Sequence, residues 1–229
     1  MNSPPKSPRP ATNRKRACAP KNRQSHTWPL DDAQTGTAAT AADTTGAVNA
    51  TALPLTGTSG ATWHTGDVFS PDVQLDGKTG YLTTSSKALD LTGSFTLDAW
   101  VNPTALGGAV LAQNGSADAG LTLYAGSNGW VFALNTGAGT ANSYDTITGG
   151  TVQLSAWTHL TVSYDTGNHV MSLYVDDVYV ANGNHTAPTT GATGDFVIGY
   201  DGTRSFTGQI AQVQAWNGTA LSPVQPYTP

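Results

Sequence analysis

The sequence predicts an all-β fold, a sandwich or jelly roll of antiparallel strands, and three observations predict it. Apolar and polar residues alternate in short runs, and turn-forming Gly, Asn, Asp and Thr separate those runs at roughly regular intervals. No stretch of ten or more residues carries a helical period with proper caps. Short, evenly spaced strands with turn chemistry between them belong to sandwiches and jelly rolls.

Residues 26–80 are the least legible, with strands expected near 28–30 and 73–75, a third at 81–83, and a loose Thr/Ala/Gly-rich stretch between. In 95–101, Phe95, Leu97, Ala99 and Val101 alternate with Thr96, Asp98 and Trp100, a half-buried strand that Pro103 ends. A short run follows at 110–113. Residues 120–134 form two strands about Ser127-Asn128-Gly129, since Asn-Gly between apolar runs is a strong hairpin signal. The stretch 136–151 is expected to be a loop. In 157–164, Leu160, Val162 and Tyr164 oppose His159, Thr161 and Ser163, and 165–168 is a turn. Met171, Leu173 and Val175 share a face of 170–180, with Asp176-Asp177 as a turn. Runs at 196–199 and 209–216 complete the set. Ile210 and Val213 are three apart, which alternation forbids unless a bulge intervenes.

The composition fits this architecture. Of 229 residues 38% are hydrophobic, with 6 Trp, 8 Tyr and 5 Phe, enough to fill the space between two sheets. Charged residues make up only 11%, so the surface is neutral and hydroxyl-rich. Seven of the ten cations precede residue 25, and from His26 onward three cations face 15 Asp, a balance of −12. Such a domain does not hold nucleic acid or an anionic membrane through its folded surface. Residues 1–25 read as a disordered, basic, Pro-rich head, and 26–229 as one domain. The head lacks the apolar segment of a secretory signal, and no apolar run reaches the 18 residues of a membrane span. Cys18 is alone, so no intrachain disulfide can form and the fold rests on its core.

Several segments, in order, resemble one family. Ser94-Phe95-Thr96-Leu97-Asp98-Ala99-Trp100-Val101-Asn102-Pro103 resembles its "sFTvsaWvkP" strand, and Trp157 to Asp165 its "WhHvavtyD". Leu173-Tyr174-Val175-Asp176-Asp177 is similar to "lYvDG", Val197-Ile198-Gly199 to "iG", and Phe206 to Ser222 to the family's last strand. His26 to Asp32, Asp43-Thr44-Thr45-Gly46 and Val73 to Gly77 fit its opening. On these segments the domain resembles the bacterial laminin-G-like, concanavalin A-like jelly rolls. The resemblance implies two curved antiparallel sheets and a binding module of secreted or cell-surface proteins, with carbohydrate as the commonest ligand. Two positions depart from the family: Ala211 stands where an acid often follows "G.I", and Asp177 where Gly usually ends "DG".

Catalysis is not expected. Jelly-roll glucanases resembling this architecture use Glu-x-Asp-x-Glu on one strand, and the chain contains no Glu. Residues 125–129 loosely mimic a nucleophile elbow, but that elbow needs a strand turning into a helix. The five His show no zinc-ligand spacing, and His159 is expected to be a partly buried structural residue. No cofactor is required, and calcium is the one metal with a case, because loop Asp residues abound. Asp43 is the residue chosen for it, with a turn-capping Asp as the even alternative. Trp100, Trp130 and Trp157 lie within strand patterns and are expected to pack in the core. Ligand-binding candidates come from rim loops instead: Tyr144 with Asp145, and Tyr200 with Asp201 and Arg204, where a sugar ring could stack on Tyr and its hydroxyls bond to Asp and Arg. The expected protein is an extracellular, non-catalytic module for carbohydrate or an extracellular protein ligand. It is also read as a unit appended to a catalytic domain in a longer chain. The rival readings are a structural or adhesive interaction module and a fragment of a secreted enzyme.

Overall fold

The computed structural model describes residues 25–45, 51–115, 118–137, 143–187 and 189–218. The expected head lies outside these residues apart from Ser25. The strands, in chain order, are β1 (Ser25–Trp28), β2 (Thr40–Ala41), β3 (Leu55–Gly57), β4 (Ala61–His64), β5 (Asp72–Asp76), β6 (Leu82–Thr83), β7 (Phe95–Pro103) and β8 (Ala109–Asn114). They continue as β9 (Ala119–Gly126), β10 (Gly129–Asn135), β11 (Tyr144–Gly149), β12 (Thr158–Asp165), β13 (Val170–Val175), β14 (Val178–Asn184), β15 (Phe196–Ile198) and β16 (Thr207–Asn217). Among the described residues no helix is long and apolar enough to cross a membrane.

Two antiparallel sheets face each other. The first runs β14-β13-β12-β7-β16-β5-β4, with β1 added along β16, and the second runs β11-β10-β9-β8-β15-β6-β3-β2. The expected sandwich is therefore present, as a jelly roll whose non-consecutive neighbours reflect chain crossings between sheets. Alternation builds the core: Phe95, Leu97, Ala99 and Val101 of β7 are fully buried, as are Leu160 and Val162 of β12. From the second sheet Phe132 meets Phe95 edge-on, with ring centroids 6.3 Å apart. Trp28 stacks on Phe196 at 5.2 Å, and its indole N–H is satisfied by the Leu53 carbonyl at 2.8 Å.

The expected bulge lies in β16. Pairing with β7 slips between Ala211 and Gln214, and Gln212 takes a left-handed φ of 50° while donating its N–H to the Pro29 carbonyl. The extra residue lets Ile210 and Val213 both reach the core. Before the bulge β16 pairs with β5, and beyond it with β1. Asp176 and Asp177 form the two-residue turn between β13 and β14, both with positive φ, which Asp tolerates better than most residues. That tolerance lets Asp177 stand where the family usually has Gly.

The structure corrects three readings. Residues 144–149, expected within a loop, form β11 along β10. The Thr/Ala/Gly-rich stretch contains β2, β3 and β4. Trp130 is fully buried, but Trp100 and Trp157 are only half-buried on the outside of the first sheet. Trp100 shares the outward parity of Thr96 and Asp98, and alternation, not hydrophobicity, decides its side.

Candidate functional site

Side-chain alternation gives the second sheet two unlike faces. Directly opposed residues facing the core are Leu82, Ile198, Leu111, Leu123, Phe132 and Ile147. The adjoining outward row is Thr83, Val197, Ala112, Thr122, Ala133 and Thr146, all small or β-branched. The middle of this row, Val197, Ala112, Thr122 and Ala133, is buried, so the chain itself covers it.

Loop 199–206, between β15 and β16, folds back onto this face. Its entry is Gly199, with φ of 90°, where an added Cβ would lie 2.2 Å from the Leu75 side chain. Only glycine serves there. Thr122 Oγ1 donates to Asp201 Oδ2 at 3.1 Å, and Arg204 Nε donates to the same oxygen at 2.7 Å. The other carboxylate oxygen accepts the backbone N–H groups of Thr203 and Arg204 at 3.1 and 2.8 Å and the Thr203 hydroxyl at 3.0 Å. Burial alone would raise the Asp201 carboxyl, but the bonds from Arg204 and Thr203 outweigh it and hold it below the usual range. Asp201 therefore stays ionised and fixes Arg204. The Arg204 guanidinium carbon then stands 3.9 Å from the centroid of the Tyr124 ring, a cation–π contact.

Tyr144 lies on β11, its hydroxyl donating to the Ala119 carbonyl at 2.9 Å. Burial raises its phenol above the ordinary value, with Asp118 and Asp201 adding to the effect and Arg204 opposing it. Asp201, Arg204 and Tyr124 thus come together, whereas Tyr144 lies apart: Tyr124 is level with Val131 and Thr148, four residues along β11 from Tyr144. Tyr124 was missed, although its parity in β9, opposite Leu121, Leu123 and Ala125, marks it as outward-facing.

The other sequence-chosen residues lie apart. Asp145 follows Tyr144 in a strand and points the other way, where its Oδ2 meets Nδ1 of fully buried His185 at 2.9 Å. His185 Nε2 in turn meets the Thr189 hydroxyl at 3.0 Å, and that hydroxyl donates to the Asn135 carbonyl. Tyr200 stacks on Tyr81 at 5.5 Å and donates to the Gly202 carbonyl. The Asp43 carboxylate is fully buried and meets four nitrogens: the N–H groups of Thr27, Thr45 and Leu53 at 3.1, 3.0 and 2.8 Å, and His26 Nδ1 at 2.7 Å. Burial would raise this carboxyl, but the His26 bond and the three N–H groups hold it low. This ring of nitrogens suits a carboxylate that ties β1 to residue 53.

The outside of the first sheet is different. Trp100 stacks on His159 at 4.8 Å, and Phe69, from loop 65–71, packs on Trp100 and Trp157 at 5.1 and 4.7 Å. His159 lies between Asp98 and Asp177 at 2.8 and 3.0 Å and is 16% exposed, so it is partly buried and hydrogen-bonded as expected. Beside this surface His64, Asp67 and Asp72 gather around the Gln209 amide, the one His/Asp group of metal-binding dimensions among the described residues. Burial pushes the Asp72 carboxyl up to about 6, against the pull of its His64 bond.

Comparison with known proteins identifies the architecture. A family model described as the concanavalin A-like lectin/glucanases superfamily matches residues 76–225. The fourth domain of AbnA, an extracellular arabinanase from Geobacillus stearothermophilus solved with arabinotriose, superimposes with a TM-score of 0.56 at 19% identity, over 88% of this chain and 95% of that one. The binding domain of botulinum neurotoxin DC, solved with rat synaptotagmin II, gives 0.63 at 13% identity, over 88% of this chain and 49% of the other. A carbohydrate-binding module of the Ruminococcus gnavus IT-sialidase, bound to α2,3-sialyllactose, gives 0.51 at 16% identity, over 66% and 92%. No curated protein matches.

Proposed function

The chain belongs to the concanavalin A-like lectin/glucanases superfamily, and from that premise we propose that it is a non-catalytic module recognising carbohydrate on the outward face of its second sheet. One observation carries this reading: Arg204, fixed by Asp201, stands over the half-buried Tyr124 ring on the outward side of the second sheet. A sugar offers an apolar C–H face and a rim of hydroxyls. The Tyr124 ring matches the first, and the terminal guanidinium nitrogens, donors that Asp201 holds in place, match the second. Asp201, already accepting from Arg204, Thr203 and Thr122, acts as the positioning residue. The solved arabinanase domain and the sialidase module, both holding oligosaccharides on this fold, support the reading. They also support an extracellular module carried beside a catalytic domain. The lack of Glu supports a non-catalytic role.

A glycan array followed by calorimetry tests the proposal. Binding of at least one oligosaccharide is expected, weakened about tenfold or more by Arg204→Ala and Tyr124→Ala and left unchanged by Trp157→Phe on the opposite sheet. Binding that survives both substitutions would move the site elsewhere. Failure to bind any glycan, with capture of an extracellular protein through the same residues, would favour the protein-ligand reading. Hydrolysis of a bound sugar by the chain itself would refute the non-catalytic one.

A further inference from the structure

His64 closes β4, Asp72 opens β5, and Asp67 stands in the loop between them, on the outside of the first sheet. His64 Nδ1 lies 3.2 Å from Asp72 Oδ2 and 4.0 Å from Asp67 Oδ2. We propose that His64, Asp67 and Asp72, completed by Gln209, form a site for a divalent transition-metal ion of the Zn2+ type. The ion would fasten loop 65–71 onto the Trp100–Trp157 surface.

The first argument is a shortage of protons. Gln209 is 8% exposed, and its Nε2 lies 2.7 Å from His64 Nδ1, 2.8 Å from Asp67 Oδ2, and 3.5 and 3.3 Å from the two Asp72 oxygens. An amide nitrogen has two protons, so four acceptors surround a group that can serve two. The imidazole cannot repair this. If Nδ1 carries a proton to donate to Asp72, it faces the amide protons of Gln209; if it does not, it faces the Asp72 carboxylate lone pairs. Asp72 is fully buried, and among the described residues no Lys or Arg pairs with it or with Asp67. A cation resolves all of these contacts together, because every facing atom then offers a lone pair.

The second argument is an orphaned acceptor next door. Asn102 donates its Nδ2 to Gln209 Oε1 at 2.8 Å, while its own Oδ1 is buried without a donor. Turning both amides end for end directs Gln209 Oε1 at the ion and gives Asn102 Oδ1 the Gln209 N–H, with the Asn102 NH2 taking the place of the orphaned oxygen. The heavy-atom positions of an amide permit either orientation, and its partners decide between them.

The third argument is size and ligand type. Bonds of about 2.0–2.2 Å in a tetrahedron place ligand atoms about 3.4 Å apart. The His64–Asp72 and His64–Asp67 spacings of 3.2 and 4.0 Å bracket that value, whereas the Gln209 amide, 2.7 and 2.8 Å from His64 and Asp67, must draw back by about 0.6 Å to ligate. Ca2+ takes six to eight oxygens, whereas one imidazole with two carboxylates suits Zn2+ and its neighbours. Asp67 Oδ2 also accepts the Trp157 indole N–H at 3.1 Å, and Phe69, two residues on, packs on Trp100 and Trp157. An ion at Asp67 therefore bears on the tryptophans directly.

The test uses the full chain stripped with EDTA and titrated with Zn2+, followed by calorimetry, tryptophan fluorescence and melting temperature. One equivalent is expected to bind, with a fluorescence change and a rise of about 5 °C or more. His64→Gln and Asp67→Asn should each abolish all three responses, while Asp165→Asn in a distant turn keeps them. Circular dichroism confirms that the variants are folded. The proposal fails if the wild type takes up no stoichiometric Zn2+, if uptake survives in both variants, or if Ca2+ alone reproduces the response. Glycan binding through Arg204 is read separately and stands or falls without this result.

Discussion

On the outside of the second sheet the central row is Val197, Ala112, Thr122 and Ala133, whereas the outward row of the first sheet is Thr62, Gln74, Gln209 and Asn102. Both faces are then visited by a loop. Loop 199–206 brings a cation, Arg204, held against Tyr124 by a buried acid. Loop 65–71 brings an acid, Asp67, and a ring, Phe69, that packs over Trp100 and Trp157. One face thus holds a guanidinium against a tyrosine beside small residues; the other has its large rings packed against one another and acids beside them. The same backbone plan thus carries two chemically unlike outer faces, and the loop that visits each sets the difference.

Replacing the shared support should break both faces at once. Phe132→Ala removes a fully buried ring between the sheets and is expected to cost about 3–5 kcal/mol, seen as a large drop in the denaturation midpoint. A cost near zero would mean the sheets do not depend on this contact. A smaller change should separate the faces. Asp201→Ala strands the Thr203 and Arg204 N–H groups and frees Arg204, and is expected to cost about 1–3 kcal/mol. It should also weaken glycan binding while leaving the tryptophan fluorescence of the first sheet unchanged. A fluorescence change would show that the faces are coupled.

The smallest effect is a difference in sign with pH. The Asp98 bond raises His159 above its usual value, against its burial, so its stabilisation is complete below about pH 6.5 and is lost as pH rises through the raised value. Asp201 is lowered, so its stabilisation is complete above the usual Asp value and is lost as pH falls through the lowered one. Melting curves of His159→Gln and Asp201→Asn against wild type should therefore converge at opposite ends of the pH scale. Convergence at the same end would remove one of these pairings.

Much of the sandwich was legible because period-two patterns translate directly into faces, as in Phe95–Val101, and because a broken period in Ile210–Val213 announces a bulge. The strands β2 to β4 were not legible, since Thr, Ala and Gly carry little hydrophobic contrast and owe their pairing to neighbours distant in sequence. The same weakness hid β11, whose Thr146 and Thr148 face outward around a single buried Ile147. Of the residues at the proposed site, the sequence could offer Asp201 and Arg204 as loop chemistry, and the parity of Tyr124 in β9 marked it as outward-facing without showing which loop would cover it. Asp145 was grouped with Tyr144 because neighbours in sequence share a loop; in a strand, neighbours face apart. The spacing His64-x2-Asp67-x4-Asp72 was passed over because its fourth partner, Gln209, lies at the other end of the domain.

The pairing of β1 with the far half of β16 sets Ser25 beside Trp216. The first described strand and the last thus lie side by side, like two cords held in one socket.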